Sequence, residues 1–303
     1  MKKFLIHTSL FLVVTTLTIL GGTLLLSQWV ENRGFLWENC ESNLLPEIEE
    51  QNADVLFLGN SHARNFSRGG NHEKVESAFE KKIINLGQGR GICGPNDQHF
   101  YLQYAINSNL TFDKVVYVIS PPFLYGEHLD SSTNTFFEEP LRLDFFWSYL
   151  SYSAPNKAKR LFHYLRTKWR PLWLGLEPKL DKRVHQSLVA LDQEEVDAGF
   201  GLAYPNGLKE ESFQSGIEKI ERSISFAKDH GAEVLVIVTP TLFGDWPGQE
   251  RLDQWGADQN SEGVVYRNFS SAISSPEMFY DHHHLNQKGI LAFCEILRPF
   301  FND

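Results

Sequence analysis

The sequence predicts an α/β fold built on a doubly wound parallel sheet, and three observations predict it. Four short runs rich in Val, Ile and Leu, at 55–58, 82–85, 114–120 and 233–239, lack the polar alternation of a half-solvated strand. Such runs suit strands covered by helices on both faces. Most stop at a glycine or a proline, and helical stretches at 97–107 and 211–230 separate them. Strands alternating with helices build a parallel sheet through right-handed crossovers.

The N-terminus stands apart from that pattern. Lys2 and Lys3 precede a run from Phe4 to Leu26 with no acidic or basic side chain except His7. At 1.5 Å per residue this is long enough to cross ~30 Å of hydrocarbon. Gly21, Gly22 and Thr23 are followed by more leucine and then Gln28, Trp29 and Val30, which is not a cleavage pattern, so residues 1–30 read as an uncleaved signal anchor. The lysines keep the N-terminus cytoplasmic and Trp29 suits the outer interface, which leaves 31–303 periplasmic or at the cell surface. Residues 31–53, polar and acidic, read as a linker and a short helix.

The first strand ends in VLFLGNSHARN, where Gly59 hands over to Asn60 and Ser61. Ser61 thereby stands at a strand's carboxyl end, where open α/β sheets place their ligands. Serine is also a favoured helix N-cap, so the run alone is ordinary strand-to-helix chemistry. The second strand opens into NLGQGRGICGP, whose Gly87, Gly89, Gly91 and Gly94 allow close backbone approach. The loop lacks the Gly-Lys-Ser/Thr of a phosphate loop and the spacing of a dinucleotide fingerprint. The third strand is stopped by Pro121 and Pro122.

From about 123 to 207 the periodicity weakens, aromatic residues accumulate, and a helical insertion over the sheet's carboxyl edge is expected. Within it KAKRLFHYLRTKWRPLW is basic and aromatic; a packed cap helix with its cations in water outweighs a lipid-facing surface. A fifth, short strand is expected near 278–280, leading to Asp281, and the last helix begins about Asn286.

The totals bound the function. With 303 residues and 42% hydrophobic content the chain supports one large domain beside the anchor. A formal charge of −10 argues against a nucleic-acid partner. Cys40, Cys93 and Cys294 have no metal-ligand spacing and supply at most one bridge. Sequons begin at Asn65, Asn109 and Asn268; a glycan one turn after Ser61 would crowd any site there, which favours a bacterial exterior. Three adjacent histidines, His282 to His284, with Asp281 and His62 have the donor types of a zinc site. Adjacent rings seldom converge on one ion, and neither a metal nor a cofactor is assigned.

A serine hydroxyl becomes nucleophilic when a base takes its proton, and a histidine base needs a carboxylate to fix its tautomer. Asp281 and His284, three apart, lie at the same sheet edge as Ser61. Here the sequence resembles the SGNH or GDSL hydrolases, whose fold is flavodoxin-like. Their first block is a strand ending in Gly-Asp-Ser, here with Asn60 for the aspartate, and their last is Asp-x-x-His-Leu, here Asp281 to Leu285. Asn85, Leu86 and Gly87 match the opening of the second block.

The resemblance implies a Ser61 nucleophile, a His284 base and an Asp281 orienter. It also implies an oxyanion site from the Ser61 N–H and a second-block glycine, Gly89 in preference to Gly91, beside Asn60. The third-block asparagine is missing, because Ser120, Pro121 and Pro122 follow the third strand; the Gly94-Pro95-Asn96-Asp97 match precedes it and is expected to cap a helix. Anchored relatives edit O-acetyl groups of surface polysaccharides, so the partners implied are an acylated carbohydrate or another ester and the membrane. A lipid esterase is the nearest alternative. A catalytically weak module that binds polysaccharide or assembles with a membrane-bound acyltransferase is the other.

Overall fold

The computed structural model describes residues 1–32, 48, 52–89, 93–137, 139–168, 182–261 and 263–301. Five strands form one all-parallel sheet: β1 (Val55–Gly59), β2 (Ile83–Asn85), β3 (Lys114–Ile119), β4 (Glu233–Val238) and β5 (Val265–Asn268). Their order, β2-β1-β3-β4-β5, is the doubly wound order with its switch point between β1 and β3. Val55 pairs with Ile83 on one side and Lys114 on the other, and Lys114 with Glu233, so the central strands start level and end level.

Alternate residues feed two cores. Leu56, Leu58, Val115, Tyr117, Val234 and Val236 face one, covered by α4 (Pro95–Asn107), α10 (Glu210–Asp229) and α11 (Gln249–Ser261). Val55, Phe57, Val116, Val118, Leu235 and Ile237 face the other. There they are covered by α2 (Ser61–Arg64), α3 (His72–Phe79) and α12 (Gln287–Leu297). The continuous apolar runs follow from this two-sided burial.

The last strand differs from expectation. Residues 276–278 form a 3-10 turn rather than a strand, and Phe279 makes only an isolated antiparallel bridge to Leu285. The fifth strand lies earlier, at the sheet edge, where Val265 and Arg267 are turned outward and only Tyr266 packs inward. An edge strand with one inward side chain carries almost no periodic signal. Gly256 of α11 lies directly over Tyr266, where a Cβ would stand 2.1 Å from the ring.

Between β3 and β4 the described residues carry α5 (Pro121–Tyr125), α6 (Glu127–Asp130), α7 (Leu143–Ser151), α8 (Lys157–Thr167) and α9 (Gln193–Ala203). In this cap Phe136 packs edge-on against Phe145, Tyr149 and Tyr164, and Phe100 of α4 packs edge-on against Phe136, Phe145 and Tyr149. The basic stretch keeps Lys159 and Arg166 in water but turns two other cations inward. Arg160 is buried, with Nη1 2.5 Å from Asp97 Oδ1 and 2.7 Å from the Tyr149 hydroxyl, and it also donates to the Asp130 and Ser132 carbonyls. Lys168 is buried too and donates to the Phe136 and Phe137 carbonyls. Trp169 and Trp173 lie outside the described residues.

Removing one partner of a buried ion pair strands the other, which costs about 3–5 kcal/mol, whereas an apolar pair of similar volume restores most of the loss. Arg160→Ala is therefore expected to lower the unfolding free energy measured in a urea titration by that amount, and Arg160→Met with Asp97→Leu to recover most of it. The Gly94 match behaves as expected: Gly94 is the N-cap of α4, and the Asn96 N–H is taken by Asp130 Oδ1 at 3.0 Å.

The N-terminal run is one helix, α1 (Lys2–Asn32), apolar and long enough to cross a membrane and exposed along most of its length. Its carboxyl end is not free. Thr23 and Ser27 are buried, Leu24 packs on the cap-side core, and Ser27 Oγ accepts from the Leu141 N–H at 2.6 Å. Cys93 and Cys294 are free buried thiols, so no bridge joins them, and Cys40 lies outside the described residues.

Candidate active site

β1 ends at Gly59, whose φ of +133° favours glycine and whose absent Cβ would stand 2.1 Å from the Val118 carbonyl oxygen of β3. A strand can leave the sheet this close to its neighbour only without a side chain. The turn makes Asn60 the N-cap of α2. Its Oδ1 accepts from the His62 N–H at 3.0 Å and its Nδ2 donates to the Ser120 hydroxyl at 3.2 Å. Ser61 is thus the first helical residue rather than the cap, and its hydroxyl is not consumed by the helix end.

The loop after β2 lies directly on α2. A Cβ on Gly87 would meet Ala63 and the Arg64 nitrogen at 2.6 Å. Asn85 clamps the contact, donating to the Ala63 carbonyl at 2.7 Å and the Ser67 hydroxyl at 2.9 Å while accepting from the Gly87 N–H. Gly89 is buried just beyond and is not among the described residues that line the pocket; Gly91 lies outside the described residues.

At the other end of the chain, residues 279–285 close into a tight loop. The Tyr280 N–H donates to the His284 carbonyl and the Asn286 N–H to the Met278 carbonyl, below the Phe279 to Leu285 bridge. Asp281 Oδ1 accepts from the N–H groups of His283 at 3.0 Å and His284 at 2.8 Å, which turns the carboxylate toward the His284 ring. His284 Nδ1 is 2.9 Å from Asp281 Oδ2, and Nε2 is 2.8 Å from Ser61 Oγ. A carboxylate only accepts, so Nδ1 carries the ring hydrogen and Nε2 is left to accept from Ser61.

Direct ties fix the two segments to each other: Asn65 Nδ2 to the Leu285 carbonyl at 2.5 Å, Arg68 Nη1 to the Tyr280 hydroxyl at 2.6 Å, and Gln287 Nε2 to Asn71 Oδ1 at 3.0 Å. The Tyr280 ring lies parallel to His284, 5.3 Å away, and the His62 ring stacks against it at 4.8 Å.

The electrostatics favour an ionised carboxylate. Burial pushes Asp281 up, but the imidazoles of His284 and His283 and their hydrogen bonds outweigh it and hold the group well below the usual carboxylate range. Burial, with His284 and His283 behind it, pushes the His62 imidazole well down, so this ring is neutral on its 2.9 Å bond to the Thr239 hydroxyl. Burial and His284 also push His283 down, but its side chain is 36% exposed and water offsets part of that shift.

A histidine held neutral in the fold but ionising near pH 6.5 when unfolded contributes stability that is complete above that pH and is lost as pH falls below it. The thermal midpoint is therefore expected to drop on acidification from about pH 6.5 towards 4.5, and His62→Gln, which can keep a bond to Thr239, to flatten that slope.

The three consecutive histidines diverge. His282 Nε2 accepts from the Asp192 N–H at 3.0 Å, His283 faces Trp246 at 5.5 Å between ring centres, and only His284 meets Ser61. Donor atoms of Asp281, His283 and His284 lie within 4.8 Å of one another, but both His284 nitrogens are already committed and His62 Nδ1 is on Thr239. The set does not fit a tetrahedral metal centre.

A pocket of about 140 Å³ opens at Ser61, lined among others by Asn60, Ser120, Phe123, His128, Leu129 and Trp246. Sequence reasoning did not single out Ser120, Thr239 or Trp246 as site residues. The first two are the first polar residues beyond the β3 and β4 runs, which was the available signal. Trp246 is 7% exposed and its indole N–H has no partner among the described residues.

No family model matches the chain and no curated protein matches it. Nine solved chains do. One, a candidate acylhydrolase from Bacteroides fragilis, is 12% identical over 88% of this chain and 97% of its own, with a TM-score of 0.42. A likeness this distant bears on neither activity nor substrate.

Proposed function

We propose that the chain is a membrane-anchored serine esterase or O-acyltransferase of SGNH type, acting on short acyl esters, O-acetyl groups of surface carbohydrate above all. One observation carries the chemistry: Ser61 Oγ at 2.8 Å from His284 Nε2, with Nδ1 at 2.9 Å from an ionised Asp281. His284 takes the Ser61 proton as Oγ attacks the ester carbonyl, and returns it to the departing alkoxide. The acyl-serine is then resolved by water or by a sugar hydroxyl, whose proton passes to His284 in turn.

The oxyanion needs donors in place of the missing asparagine. The Ser61 N–H is one and the second-block glycine Gly89 the expected second, although Gly89 is not among the described residues that line the pocket. Ser120 supplies the third: Asn60 Nδ2 occupies one of its lone pairs, which leaves the hydroxyl hydrogen to donate into the pocket it lines. Loss of one such donor costs about 10²–10³ in kcat where the donor is strong. Ser120→Ala is expected to lower kcat on p-nitrophenyl acetate about 10-fold or more with KM little changed, and Ser120→Thr to keep most of the rate.

The pocket's size suits an acetyl group better than a long chain. α1 would hold the enzyme at the outer face of a membrane, with Lys2 and Lys3 inside. A fluorophosphonate probe tests the reading. Labelling at Ser61 supports it, and failure to label the folded chain would leave a binding module instead.

A further inference from the structure

Two features of the cap take no part in that chemistry. Leu143, Trp147 and Leu150 stand out from α7 with 52%, 61% and 39% of their surface exposed. Their spacing of four and three puts them on one helix face. Beside them α8 presents Phe162, 59% exposed, between the exposed cations Lys159 and Arg166 at the same kind of spacing. On their inner faces both helices are fully used: Phe145, Tyr149, Arg160 and Tyr164 lie in the cap core.

The position of α1 says what covers the outer face. α7 begins two residues after Leu141, whose N–H is bonded to Ser27 near the carboxyl end of α1. Counting from Phe4, the run without acidic or basic side chains other than His7 fills ~30 Å of hydrocarbon by about residue 23. Ser27, four residues on, is then ~6 Å higher, inside the headgroup layer. Thr23 and Ser27 are buried at this level, and Leu24 and Ser27 meet the cap-side core and Leu141.

We propose that the outer face of α7, with Phe162, Lys159 and Arg166 of α8, is a second membrane contact, lying in the headgroup and upper acyl layer of an anionic bilayer. The inference rests on α1 spanning that bilayer. The apolar residues of such a face enter the acyl boundary while its cations meet lipid phosphates, and an interfacial Trp suits that depth.

The test uses the full chain with Cys40→Ser, because Cys93 and Cys294 are buried. A fluorophore is placed at Trp147→Cys, at Leu12→Cys within α1, or at Asp229→Cys on an exposed part of α10. Each labelled protein is reconstituted in phosphatidylcholine/phosphatidylglycerol nanodiscs containing spin-labelled lipid. The label at 147 is expected to be quenched about threefold more than that at 229, with Lys159→Glu/Arg166→Glu reducing the difference. Quenching at 12 with equal quenching at 147 and 229 overturns the proposal while leaving the anchor intact. A label at 147 that is unquenched and cross-links to a second copy also overturns it, in favour of a protein contact. No quenching at 12 removes the anchor, and the proposal with it.

Discussion

Ser61→Ala is expected to abolish fluorophosphonate labelling and to lower kcat on p-nitrophenyl acetate by ~10⁶-fold, the scale on which loss of the nucleophile removes a serine triad's contribution. The fold should not change. Asn60 rather than Ser61 caps α2, and the bonds from Asn65 to Leu285 and from Arg68 to Tyr280 do not involve the serine side chain. The thermal midpoint should therefore stay near that of the parent, which separates chemistry from collapse. Labelling that persists in the variant would mean another nucleophile and would sink the assignment.

The second large effect is expected at Asp281. An asparagine there keeps an oxygen for the N–H groups of His283 and His284, so the loop should hold its shape. Its amide nitrogen, however, is a donor where the carboxylate accepted. Facing His284 Nδ1, it selects the tautomer with hydrogen on Nε2, and that nitrogen then donates to Ser61 instead of taking its proton. Asp281→Asn should lower kcat by ~10⁴-fold with KM nearly constant. A loss of only a few-fold would show that the carboxylate does not set the tautomer. Asp281 itself should stay ionised until the pH is well below the usual carboxylate range, because His284 and His283 outweigh the effect of its burial.

Much of the sheet could be read from the chain because four of its strands are buried on both faces, and two-sided burial leaves an unbroken apolar run. The fifth could not: Tyr266 is its one inward side chain, and short polar edges look like loops. Ser61 was legible because it is the polar residue that follows the apolar run of β1, and Asp281 and His284 because they match the Asp-x-x-His-Leu pattern, not because a strand precedes them. Which of three adjacent histidines faces the serine was implied by the resemblance alone, and composition or spacing did not give its physical cause. That depends on Asp281 binding two backbone N–H groups and on Asp192, ninety positions earlier, engaging His282. The inward turn of Arg160 was equally hidden, since only folding brings Asp97 to it from another helix.

The Asn65 amide is committed to the Leu285 carbonyl, and the side chain is 2% exposed. The same asparagine heads an Asn-Phe-Ser acceptor sequence. An oligosaccharide attached to it during synthesis would occupy the space that the Leu285 segment must enter, so sugar addition and closure of the molecule are mutually exclusive. Production in a eukaryotic secretory host would then yield two populations, unmodified chains that mature and modified ones that do not, whereas a host lacking that transferase would yield one.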